Sequence, residues 1–236
     1  MSEGAPRRFY KSASVAEPPS GFGVALDART LKTPGGAPFV VPTRALAQAC
    51  ADEWGAQGEH VAPASMPLTQ LTFAAIDWAA SSREQRADYV ASYAATDLCC
   101  HRAAAPPELV ARQAAAWDPL VDWGSQELGV RLPVVVGVIA ATVGEGVLVV
   151  LRARALSLDD FHLTALSQAV GLTGSTLIGF ALLEGRLDAQ AAFAAAALDD
   201  LWSLEKWGED EEARARLVRL QEEIGNVKRF CESLSV

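Results

Sequence analysis

Residues 8–42 carry the two-residue alternation of strands. Phe9-Tyr10-Lys11-Ser12-Ala13-Ser14-Val15 alternates, and Phe22 to Ala25 runs on through Leu26-Asp27-Ala28-Arg29-Thr30-Leu31-Lys32-Thr33-Pro34. Gly35-Gly36 is a strong turn signal, and Pro38-Phe39-Val40-Val41-Pro42 follows as a short strand bounded by prolines. The pattern predicts a small meander that needs helices over one face, because so few short strands are not stable alone.

At Thr43 the period becomes helical. Thr43 caps a helix in which Leu46, Ala47, Cys50, Ala51 and Trp54 recur, and the stretch from Gly55 to Ala64 breaks it. Met66-Pro67-Leu68-Thr69 opens a second helix through Trp78, and a third spans Arg83 to Asp97. Pro106-Pro107 starts a helix holding Gln113 and Trp117. Asp118-Pro119 ends or restarts it, since an interior proline loses a hydrogen bond and clashes. In residues 132–155, Val134–Val136 and Val147–Leu151 flank Gly144-Glu145-Gly146, which fits a hairpin; a helix from Glu145 is the alternative. Ser157 with Asp160 has the spacing of a capping box opening a helix to Gly171, and 173–184 forms another that ends at Gly185. In Glu211–Leu234, residues Leu217, Leu220, Ile224, Val227 and Phe230 form one stripe. The fold class is α+β, a small N-terminal antiparallel β meander at 1–42 followed by a mostly α-helical body at 43–236.

Residues 188–210 stand out. Asp188 can cap a helix there and Gly208 can end it. At helical spacing Phe193, Ala197, Leu201 and Leu204 share a face, with Trp207 beside it and Leu198 and Trp202 on its flank. Asp200 and Glu205 fall inside this apolar arc, whereas Asp199, Ser203 and Lys206 lie opposite. A carboxylate on a buried face needs a partner, so this helix is where to look for function.

Composition narrows the classes. The 236 residues are half hydrophobic and 21% charged, as in a globular chain. A net charge of −9 disfavours nucleic acid or an anionic membrane as partner. The N-terminus lacks the apolar core of a signal peptide, and Leu132–Leu151 is interrupted by glycines and Glu145, so no membrane insertion is expected. Cys50, Cys99, Cys100 and Cys231 form no zinc-type spacing, and reduced thiols are expected. The chain holds no phosphate loop, GxGxxG, GxSxG or HExxH. With three histidines, His60, His101 and His162, no metal, cofactor or catalytic site is expected. Cys100-His101 invites a thiol-hydrolase reading, against which sequence neighbours seldom form such a pair. Six tryptophans offer interface anchors as well as core filling.

Several motifs in order carry a resemblance. They are Arg8-Phe9-Tyr10-Lys11; Leu26-Asp27 through Thr33-Pro34; Glu53-Trp54 with Gln57; and Pro63 with Met66-Pro67-Leu68-Thr69. Then come Ala75-Ile76-Asp77; Thr96-Asp97 with Cys100 and Arg102; Gln113 with Trp117-Asp118-Pro119-Leu120; and Leu198-Asp199-Asp200 with Trp207-Gly208-Glu209. From residue 8 to 210 the chain resembles the assembly chaperones of the F1 part of ATP synthase that act on the α subunit. The resemblance implies a non-enzymatic protein that binds unassembled α subunit, prevents its aggregation and hands it to β subunit. It implies Asp199, Asp200, Trp202, Trp207 and Gly208 as partner-binding residues. Within the family's pattern, Asp199 and Asp200 stand where Glu is frequent, and Ser203 where a Gln precedes Trp-Gly. It favours helix over hairpin at 146–155. A monomer is expected. Without a presequence and rich in alanine and arginine, the chain resembles a bacterial relative placed in the cytoplasm, while eukaryotic members of the family act in the mitochondrial matrix. The readings that compete with this resemblance are a helical interaction module with another client, and the thiol hydrolase.

Overall fold

The computed structural model describes residues 6–137, 142–208 and 210–235, with the backbone alone at 79–81. The start of the N-terminal reading (Met1–Ala5), residues 138–141 between the two valine runs, and Glu209 of the Trp-Gly motif lie outside these residues. The chain divides into two compact units, Met1–Ser82 with Arg229–Val236, and Arg83–Lys228.

The first unit is a meander covered by helix. Strand β1 (Ala13–Ala16) pairs antiparallel with β2 (Gly23–Leu26), and β2 with β3 (Arg29–Thr30). Asp27 turns β2 into β3 at φ 53°, and its carboxylate accepts from Ser12 N at 2.9 Å and Lys11 N at 3.1 Å. Pro38–Pro42 makes isolated bridges, Lys32 to Pro38 and Phe22 to Val41, rather than the expected strand. Its two prolines lack the N–H groups a ladder needs. Helix α1 (Arg44–Gly55) starts at Thr43, whose hydroxyl accepts from Leu46 N at 3.2 Å, and it packs on β1 and β2. Leu46, Ala47, Cys50, Ala51 and Trp54 are all buried.

Helix α2 (Pro67–Ser92) joins what the sequence reading separated into two helices. Between Trp78 and Arg83 the chain has only alanine and serine, so nothing breaks the helix. Glu53 caps its first turn, accepting from Leu68 N at 2.9 Å and Thr69 N at 2.8 Å. Further polar braces tie the first unit together. Arg8 donates to the carbonyls of Tyr10, Lys11, Gly55 and Gln57. Asp77 accepts from the Thr33 hydroxyl and from Gly35 N. The Thr43 hydroxyl donates to the carbonyl of Ser233.

Among the described residues the second unit is mainly helical, with two short parallel strands, β4 (His101–Arg102) and β5 (Val135–Val136). Helix α3 (Pro107–Trp123) runs straight through Pro119 and ends in a π-helical turn at Gly124–Leu128. Pro119 is exposed, while Trp117, Leu120 and Trp123 are buried and hold the helix on both sides of it. Helix α4 (Glu145–Ser157) resolves the ambiguous stretch, and Val147–Leu151 are helical. Helix α5 (Asp160–Thr173) is capped by Asp159, which accepts from Phe161 N and His162 N, both at 2.9 Å. Ser157, expected as the cap, instead donates back to the Arg154 carbonyl at 2.7 Å, within the last turn of α4.

Helix α6 (Thr176–Leu183) is capped by Ser175 and is almost wholly buried. Its N-terminus faces Asp97, whose side chain is fully buried. Asp97 accepts from Ser175 Oγ at 2.7 Å, Cys99 N at 3.0 Å and Leu177 N at 3.1 Å. Burial pushes its carboxyl pKa up, and these hydrogen bonds act in the opposite direction. Helices α7 (Ala189–Ala196) and α8 (Leu198–Trp207) follow, and α9 (Glu211–Leu234) ends the chain with Leu217, Ile224, Val227 and Phe230 buried.

Asp97→Ala strands three buried donors and is expected to destabilise the chain by about 2–4 kcal/mol in urea unfolding, more than Ser175→Ala. His162 Nδ1 lies 2.6 Å from Asp159, and that hydrogen bond raises the histidine's pKa. A raised pKa adds stability below the unfolded value that disappears as pH rises through the folded one. The stability gap between the parent and His162→Gln should therefore be fullest below about pH 6 and shrink as pH rises above it, with an amplitude below about 1 kcal/mol because the pair is half exposed.

Candidate functional site

The residues singled out by the sequence sit on α8. Asp188 does cap the run, accepting from Ala191 N at 2.7 Å, but the helix is not continuous. It breaks at Ala197, at φ −97° and ψ 9°, into α7 and α8. The indole of Trp117 explains the break locally. Its Nε1 donates to the Ala195 carbonyl at 2.9 Å, taking an acceptor in the last turn of α7. Trp117 itself is completely buried.

Helix α3 then braces α8 from one side. Gln113, 2% exposed, donates from Nε2 to Asp199 at 2.8 Å and accepts Ala103 N on its other end, also at 2.8 Å. Arg112 lies over the ring of Trp202, its guanidinium carbon 4.7 Å from the centroid, and pairs with Glu205 at 2.7 Å. Lys206 Nζ is 4.5 Å from the same centroid. Trp202 is buried between these cations, a favourable arrangement for the electron-rich ring face. On the other side Arg216 of α9 pairs with Asp200 at 2.8 Å.

Asp199 is exposed and Asp200 half-buried, so the two acids differ in their surroundings as well as in their partners. Glu205, which helical spacing placed in the apolar arc, is exposed and held by Arg112. At the end of α8 Trp207 is 81% exposed, the most exposed large apolar side chain among the described residues. Gly208 ends the helix at φ 95°, a conformation that favours glycine, and nothing stands within 4 Å of where a Cβ would be. The structure thus brings Asp199 and Asp200 to one helical turn, puts Trp202 underneath, and leaves Trp207 and Gly208 open to solvent.

Arg112 and Arg216 were not legible as part of this site. Arg112 and Arg216 lie on other helices, and only folding brings them to α8. Gln113 was visible as part of a motif, but nothing in its spacing names Asp199 as its partner.

The Cys100-His101 pair has none of the geometry of a nucleophile and its base. Cys100 is 1% exposed, and burial pushes its thiol pKa up to about 12, so it stays protonated at neutral pH. His101 Nδ1 is engaged with the Asp97 carbonyl at 3.1 Å. Among the described residues no group of three or more His, Cys, Asp or Glu stands ready to hold a metal ion. No helix among them is long and apolar enough to cross a membrane.

Comparison with known proteins agrees with the motifs. The family described as ATP12 chaperone protein matches residues 7–125. Protein atp12, mitochondrial, of Schizosaccharomyces pombe is 26% identical over 219 residues, covering 88% of this chain and 75% of that one. The crystal structure of Atp12 from Paracoccus denitrificans superposes with a TM-score of 0.91 at 41% identity, covering 98% of this chain and 99% of that one. An aspartate-to-lysine mutant of the same Paracoccus protein matches at TM-score 0.91 and 40% identity, covering 98% of each chain. The chain belongs to the ATP12 chaperone family, the F1-ATPase assembly chaperones whose motifs it carries.

The two acids should separate on substitution. Asp199→Ala leaves a buried amide without its acceptor and is expected to cost about 1–2 kcal/mol in urea unfolding. Asp200→Ala breaks an exposed pair and should cost less than about 1 kcal/mol. Equal losses from the two substitutions would refute this division of roles.

Proposed function

We propose that this member of the ATP12 family binds the unassembled α subunit of F1 ATP synthase, prevents its aggregation and hands it to the β subunit. The observation that carries the reading is Trp207, a large indole held in water at the end of a braced helix. An α subunit that has not met its neighbours exposes apolar surface that would self-associate. Its holder must cover that surface yet bind weakly enough for the β subunit to displace it. One aromatic anchor with a polar surround meets both requirements.

On this reading Trp207 enters the client surface and Gly208 leaves room for it. Asp200, paired with Arg216 where both side chains reach solvent, exchanges Arg216 for a basic group of the client. Asp199 and Trp202 act from behind by fixing α8. The protein works as a monomer in the cytoplasm, without cofactor or nucleic acid and without entering a membrane. The fission-yeast relative, by its name, is mitochondrial.

Light scattering of isolated F1 α subunit tests this. The chain should suppress its aggregation without nucleotide, and added β subunit should displace it. Trp207→Ala should weaken binding by about tenfold or more while leaving thermal unfolding unchanged. Asp200→Lys, which puts a second cation beside Arg216, should abolish protection. An α subunit that aggregates equally with and without the wild-type chain refutes the proposal.

A further inference from the structure

An open groove of about 520 Å³ runs between α3 and α7 and reaches the head of α8. Pro119 and Leu120 form one wall, Ala191, Ala194 and Leu198 the other, and Arg186 stands at its rim. Ala191 and Ala194 are exposed, so small side chains let an incoming backbone approach closely.

Arg186 sets the character of this groove. Several arginines of the same unit are held by acids: Arg102 by Asp118, Arg112 by Glu205, Arg154 by Glu184 and Arg216 by Asp200. Arg131 and Arg219 have no ion pair among the described residues and lie outside the groove lining. Arg186 is exposed and makes no ion pair among the described residues, in a chain whose net charge is −9. An apolar trough with one free guanidinium at its edge is complementary to an apolar segment that carries a carboxylate. Leu198 lines the groove and directly precedes Asp199 and Asp200, so the trough is continuous with the surface of α8.

We propose that this groove receives an apolar, carboxylate-bearing segment of the client, a second contact alongside Trp207. The inference rests on the α-subunit reading above. Trp207 covers one point of the client, and the groove orients a length of it.

The test uses the full chain and isolated F1 α subunit. Arg186→Glu should weaken binding by about tenfold and Arg186→Lys should largely restore it, with unchanged thermal unfolding. In parallel, Ala194→Cys introduces an exposed thiol into a chain whose four native cysteines are all buried. The α subunit should slow labelling of that thiol by a maleimide about tenfold or more. It should leave unprotected the thiol of a second variant, Ala28→Cys, in the β2–β3 turn. Binding that survives Arg186→Glu, together with an Ala194→Cys variant that labels equally fast with and without client, overturns the groove while the α-subunit reading stands. If Arg186→Glu fails to fold, the labelling arm decides alone. A wild-type chain that binds no α subunit overturns both.

Discussion

The second unit is arranged around one fully buried acid. Asp97 lies wholly out of water, where an ionised carboxylate is tolerated only if hydrogen-bond donors surround it. Those donors come from two places. Cys99 is in the turn that leads to β4, and Ser175 and Leu177 open α6. One side chain therefore fixes where α6 begins and which way it runs, since the positive end of the helix must meet the carboxylate. Helices α5 and α6 pack closely, and α7 follows α6 after a short turn, so the course of the following helices traces back to that contact.

The motifs that carry the resemblance do similar work elsewhere. Arg8 saturates carbonyls at the end of α1, Asp27 closes a hairpin, Glu53 caps α2, Asp77 holds the Gly35 turn, and Gln113 reaches Asp199. Most are polar side chains whose partners lie far along the chain. That is why they read as a scattered signature rather than as a site. They specify the fold by tying turns, helix ends and side chains to partners distant in sequence.

The meander, the cap at Thr43 and the stripe of α9 were legible because each is set by neighbours within a few residues. Some errors came where distant groups decide. The passage of α3 through Pro119 and the break at Ala197 depend on packing and on the Trp117 indole, whereas α2 runs on across Ala79–Ser82 because that stretch holds no helix breaker. Of the candidate site, helical spacing set Asp200 in the apolar arc beside Trp207 and Asp199 opposite, so the difference between the two acids was legible. Their partners were not legible, because Gln113 and Arg216 lie on separate helices.

The exposure of Trp207 has a thermodynamic side. A tryptophan that folding leaves four-fifths in water retains most of the burial energy that the other indoles of this unit have already released. Whatever covers it gains about 3 kcal/mol, roughly a hundredfold in dissociation constant. The same amount must be returned when the cover departs. A bound state that used this ring would owe it a large share of its lifetime, and a competitor that dislodged the ring would lower much of the barrier to release.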